Sequence, residues 1–123
     1  MNKEIIHAWS NKEDAVVLTT VNTNCIPNSI YVTCVSLYNS TSIVIADNYF
    51  EKTRNNIKSG SCASILFITK DGGSYQIKGS IKYHTDGEVF DFMKSWNPSK
   101  HPGVGAVEII PEEIYSGAQK LNI

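Results

Sequence analysis

At 123 residues, with 41% apolar and 19% charged residues, the chain has the size and composition of one globular domain, 1–123. A formal net charge of −1 creates no field that would gather nucleic acid or an anionic membrane, so neither is an expected partner. The sequence has no apolar run of about eighteen residues that would cross a membrane. The first ten residues mix Lys3, Glu4 and His7 with Ile5, Ile6 and Trp9, unlike a secretory leader. Cys25, Cys34 and Cys62 are too widely spaced for a disulfide framework or a CxxC pair, which favours the reducing cytoplasm.

In chain order, Asn2 is placed to cap a short helix in which Ile5, Ile6 and Trp9 share a face. The β-branched run Ala15 to Val21, the turn Asn22-Thr23-Asn24 and a second extended run from Pro27 through Leu37 predict a hairpin. After Asn39-Ser40-Thr41, the apolar stretch Ser42 to Ala46 predicts a third strand that stops at Asp47-Asn48. Phe50 to Ser59 suits a short crossing helix, with Gly60 where a helix end wants positive φ. Cys62 to Thr69 and the strand from Tyr75 to Tyr83 flank the loop Lys70-Asp71-Gly72-Gly73.

Within that later strand Tyr75, Ile77, Gly79, Ile81 and Tyr83 alternate with polar residues, so one face is buried. Thr85 and Glu88 have the spacing of a capping box before Val89, Phe92, Met93 and Trp96, which predicts a second covering helix. Ala106 to Ile110 supplies a last strand that Pro111 confines to an edge or ends. Six or so strands joined mostly through hairpins predict a mainly β fold, an antiparallel barrel with a few short helices.

One segment carries a local conflict. If Asp47 or Asn48 caps the crossing helix, Lys52 and Arg54 fall near its first turn, where the helix dipole disfavours cations by roughly 0.3–1 kcal/mol each. A bound phosphate reverses that sign, with free backbone N–H groups, the Thr53 hydroxyl and the Lys52 ammonium as its ligands. The other reading is an ordinary solvated face of Lys52, Arg54 and Lys58 with Glu51 as a local ion partner, and spacing alone does not choose between them. His7, His84 and His101 lack ligand spacing, so no metal site is expected. No proton donor is singled out, and the catalytic residues stay unassigned.

The strand end Ile45-Ala46-Asp47-Asn48 followed by Lys52-Thr53-Arg54-Asn55-Asn56 resembles the phosphate segment of the FMN-binding split-barrel superfamily, which includes pyridoxamine 5′-phosphate oxidase-like proteins. Pro27-Asn28-Ser29, Ser74-Tyr75-Gln76-Ile77-Lys78-Gly79, Thr85-Asp86-Gly87 and Glu113-Ile114-Tyr115-Ser116-Gly117 follow the same order. The resemblance implies a split β-barrel binding flavin mononucleotide (FMN), with Lys52 and Thr53 on the phosphate, helped by Asn28, Ser29 and Ile30. It places the flavin ring against Ile45, Ala46 and Asp47, at a site between two subunits of a homodimer. Its implied activity is that of a flavin-dependent oxidoreductase acting on an unidentified small molecule. The alternatives are a non-enzymatic electron carrier or flavin store, and a barrel holding a deazaflavin or haem instead. The chain ends Ala118-Gln119-Lys120-Leu121-Asn122-Ile123, without the basic segment of oxidases that take pyridoxamine phosphate itself.

Overall fold

The computed structural model describes residues 1–123 as one curled sheet with three short helices. Helix α1 (Lys3–Ser10) starts where the Asn2 side chain accepts a hydrogen bond from the Ile5 backbone N–H at 3.0 Å, and it buries Ile5, Ala8 and Trp9. The strands are β1 (Val16–Val21), β2 (Pro27–Val32), β3 (Val35–Tyr38), β4 (Ser42–Asp47), β5 (Ala63–Ile68), β6 (Ser74–His84), β7 (Gly105–Ser116) and β8 (Gln119–Leu121). Helix α2 (Lys52–Lys58) crosses between β4 and β5, and α3 (Gly87–Trp96) between β6 and β7. All strand pairs are antiparallel, in the order β2-β1-β5-β6-β7-β4-β3, with β8 added to β7.

The alternation read in β6 is observed: Ile77 and Gly79 are buried while Lys78, Ser80 and Lys82 are exposed. The inward faces enclose a main core that includes Leu18, Ile43, Ile45, Ile65, Ile77, Ile109 and Ile114, closed at one end by α1. A smaller cluster of Val44, Ala46, Ala106 and Met93 lies on the other side of β4 and β7 under α3. Burying a side chain of this size contributes about 1.5–3 kcal/mol, so these two layers hold the barrel together.

The extended run Pro27 to Leu37 is two strands. Val32 pairs with Val16 at one end of the sheet, whereas Val35 pairs with Ile45 at the other, and Thr33-Cys34 makes the step between them. Both halves have the same β-branched character, so the pattern carries no mark of the change of partner.

Strand β7, expected to stop at or near Pro111, continues through it to Ser116, and β8 follows. The β6–β7 register shifts between Lys78 and Gly79: Lys78 faces Glu113 and Gly79 faces Pro111, leaving Glu112 as the extra residue of a bulge. A proline without an N–H is tolerated at such a break. The partner backbone comes so close that a Cβ on Gly79 would stand 1.9 Å from the Ile110 carbonyl oxygen.

Two expected caps are absent. Helix α3 has Asp86 at its N-cap with no side-chain bond, so the Thr85–Glu88 box does not form, and Gly87 at φ +87° turns the chain into the helix. Helix α2 begins at Lys52, later than read, with Glu51 at its N-cap and no side-chain cap bond. Gly60 takes φ +92° just beyond it, as the sequence implied.

Candidate functional site

Asp47, the last residue of β4, is completely buried and is the hub that fixes the turn into α2. Its carboxylate accepts bonds from the Phe50 backbone N–H at 3.0 Å, from Arg54 Nε and a terminal guanidinium nitrogen at 2.7 and 2.9 Å, and from the Tyr83 hydroxyl at 2.6 Å. Its carbonyl accepts from the Val104 N–H at 2.9 Å. Donating to the Asp47 carboxylate strengthens the guanidinium's hold on its proton. Burial, reinforced by the same carboxylate, pushes the Tyr83 hydroxyl up to about 12.

This arrangement resolves half of the conflict in the sequence: Arg54 near the first turn of α2 is compensated by Asp47 and needs no external anion. Lys52 is different, being exposed and in no ion pair.

Asn48, next along, binds the loop between α3 and β7. It exchanges side-chain bonds with Asn97 at 3.1 and 2.8 Å and accepts from the Gly103 N–H at 3.0 Å. Lys94 Nζ donates to the Pro102 carbonyl at 3.0 Å, and the Tyr49 hydroxyl lies 3.2 Å from His101 Nδ1.

Three clefts run side by side along β2 and the segment from Tyr49 into α2. One of about 340 Å³ is mostly apolar and lined by residues including Ile30, Tyr31, Val32, Cys34, Ala46, Tyr49, Phe50 and His101. The next, about 470 Å³, shares Ile30, Tyr49 and Phe50 with it and adds Glu51, Lys52 and Thr53. The third, about 240 Å³, shares Lys52 and adds Asn22, Ile26, Pro27, Asn28, Asn55 and Asn56. The shared walls make them one groove, apolar at one end and polar at the other.

Asn28, Ile30, Ala46, Lys52 and Thr53 all line this groove, and Asn28 Nδ2 donates to Thr53 Oγ1 at 3.1 Å. The remaining sequence candidates have side chains directed elsewhere. Ser29 alternates to the outer face of β2, where its hydroxyl meets Thr19 at 2.8 Å. Ile45 is fully buried in the main core, and Asp47 is spent on Arg54 and Tyr83.

Tyr31, Cys34, Tyr49, Phe50 and His101 were not among the sequence candidates. Tyr49 and His101 are 52 positions apart, and the β4–β7 pairing together with the bonds of Asn48 to Asn97 and Gly103 brings them together, which no local pattern announces.

The donor set suits a phosphorylated, largely apolar ligand. Thr53 is buried and its oxygen already accepts from Asn28, which leaves its own proton for an acceptor in the groove. Lys52 provides the one free cation there, partly offset by Glu51 on the same cleft. An anion held here would rely on directed donors more than on a basic field.

The curled antiparallel sheet with a groove along its β4–α2 corner has the architecture of a split β-barrel. The chain belongs to the pyridoxamine 5′-phosphate oxidase family: the sequence model of that description matches residues 3–116. An uncharacterized protein of Methanocaldococcus jannaschii, MJ0282, is 24% identical over 121 residues, covering 94% of this chain and 80% of that protein. Among solved structures, HupZ of Group A Streptococcus superposes with a TM-score of 0.83 at 19% identity, covering 100% of this chain and 98% of that one. An FMN-binding protein of Syntrophomonas wolfei superposes with a TM-score of 0.80 at 18% identity, covering 99% and 91%. HutZ, the haem storage protein of Vibrio cholerae, gives 0.70 at 11% identity, covering 93% of each chain. No helix of the chain is long and apolar enough to cross a membrane.

Proposed function

We propose that this chain is an FMN-binding oxidoreductase of its family that acts as a homodimer on a small molecule. The observation that carries this reading is the graded groove. Its apolar end, from Ile30 and Ala46 to Phe50, matches a planar ring, and its polar end, at Lys52, Thr53 and Asn28, matches a phosphate. FMN bound there supplies hydride or single-electron transfer, while the chain contributes position and polarity. Lys52 and the Thr53 hydroxyl hold the phosphate, Asn28 orients Thr53, and Phe50 and Ile30 exclude water from the ring.

A second copy of the chain has a fitting place to sit. Tyr31, Val17 and Leu66 stand in register across β2, β1 and β5 on the outer face, with Tyr31 81% and Leu66 43% exposed. The neighbouring row is Ser29, Thr19 and Ser64, so this part of the face carries no charge. Tyr31 also lines the groove, and a partner on this face therefore covers the groove's open side.

Purified protein is expected to be yellow and to bind FMN more tightly than riboflavin. The double variant Lys52→Ala with Thr53→Ala is expected to be colourless but folded. A wild-type protein that takes up no flavin sinks the proposal. Saturable reduction of the bound flavin by NADH or NADPH supports an oxidoreductase, whereas reduction by dithionite alone returns the reading to an electron carrier.

A further inference from the structure

The polar end of the groove does not close at Lys52. The cleft of about 240 Å³ beyond it lies between the β1–β2 hairpin and α2, and its lining has no carboxylate. It is smaller than the roughly 300–1,000 Å³ that houses a whole small-molecule ligand, which is the size of a subsite.

Its amides are already committed in a way that fixes what they offer. Asn22 Oδ1 accepts from the Asn24 and Ile26 backbone N–H groups at 2.9 and 3.0 Å, which leaves its amino group as a donor. Asn28 Nδ2 donates to Thr53 and Asn56 Nδ2 to Thr20 at 3.0 Å, which leaves each amide its carbonyl oxygen and one N–H. Asn55 is exposed and its side chain has no partner, so both functions are available. Ile26, 59% exposed, adds an apolar wall.

Such a mixture of uncharged donors and acceptors suits hydroxyls and heterocycle edges. A second bare phosphate fits it poorly, because Lys52, shared with the neighbouring cleft, is the only charge in its lining. We propose that this cleft seats a nucleoside carried on the far side of the phosphate, so that the groove takes a flavin in dinucleotide form, with Lys52 on the bridging phosphates and the amides on ribose and base. The inference rests on the proposed flavin groove and extends it from the mononucleotide to the dinucleotide.

The test is equilibrium binding of riboflavin, FMN and flavin adenine dinucleotide (FAD) to the full chain, followed by flavin fluorescence, with the side-chain amide signals of 15N-labelled protein as a second readout. FAD is expected to bind at least tenfold more tightly than FMN and to shift the Asn22 and Asn55 side-chain NH2 signals, which FMN leaves in place. Asn55→Leu, an exposed substitution that breaks no hydrogen bond of the fold, is expected to remove the FAD advantage without changing FMN affinity. FMN binding equal to or tighter than FAD, or an equal loss of both in Asn55→Leu, overturns this inference and leaves the flavin groove standing. Binding of no flavin at all overturns both.

Discussion

Replacing Asp47 with asparagine keeps the side-chain shape and removes its charge, which tests whether this buried carboxylate organises the groove. In the wild type it accepts two bonds from Arg54, one from Tyr83 and one from the Phe50 N–H. Removing one member of a buried ion pair typically costs about 3–5 kcal/mol. The Arg54 side chain is 30% exposed, so water compensates part of its stranded charge, and the lower end, about 3 kcal/mol, applies. For a domain of this length that corresponds to a fall in Tm of about 10–15 °C. Arg54→Met is expected to cost more, about 4–5 kcal/mol, because it strands a charge with no exposure at all. Combining the two is expected to cost less than the sum of the single losses, since neither charge then lacks its partner. Chemical denaturation of the three variants measures all of this. A loss below about 1 kcal/mol for Asp47→Asn refutes the view of Asp47 as the hub.

Three further outcomes follow from the same geometry. Tyr83 titrates at about 12 in the fold against an ordinary value near 10, so its contribution to stability is complete below about pH 10 and is lost as pH rises towards about 12; Tyr83→Phe is expected to flatten that alkaline limb in unfolding measurements, and an unchanged limb would count against the assignment. Gly79→Ala forces a Cβ into the Ile110 carbonyl and is expected to destabilise by more than about 4 kcal/mol or to give no soluble protein, whereas wild-type-like melting means the bulge is not as tight as described. Leu66→Lys puts a charge in the uncharged outer row, so light scattering is expected to show a fall from twice the chain mass to a single chain of 13.6 kDa, and a wild type already at that mass removes the dimer.

What the sequence revealed and what it hid divide by range. The β6 alternation, the Asn2-capped helix and the Gly60 turn follow from neighbours a few positions apart, and each was legible. The break at Thr33-Cys34 was not, because a strand changes sheet partner without changing its residue preferences. The passage through Pro111 was hidden because the bulge that tolerates it depends on Gly79 of another strand. The local segment and its resemblance single out Lys52, Thr53 and Asn28, and in the structure these three line one groove, with Asn28 bonded to Thr53. Consecutive candidates on one strand present their side chains to opposite faces, as Ser29 shows, a distinction that the linear segment does not display. The partner of Arg54 is legible only in part: Asp47 lies seven positions away in a place that also suits a helix cap, and nothing local points to its bond with Tyr83.

The step at Thr33-Cys34 also limits how the barrel can breathe. From Val32 to Val35 the backbone can stretch to at most roughly 11 Å, so the two terminal strands of the sheet are tethered on a very short leash. Cys34 and Val32 border the apolar cleft, and that side of the pocket therefore cannot swing wide. Lengthening the tether by a few glycines would be the direct way to loosen the grip.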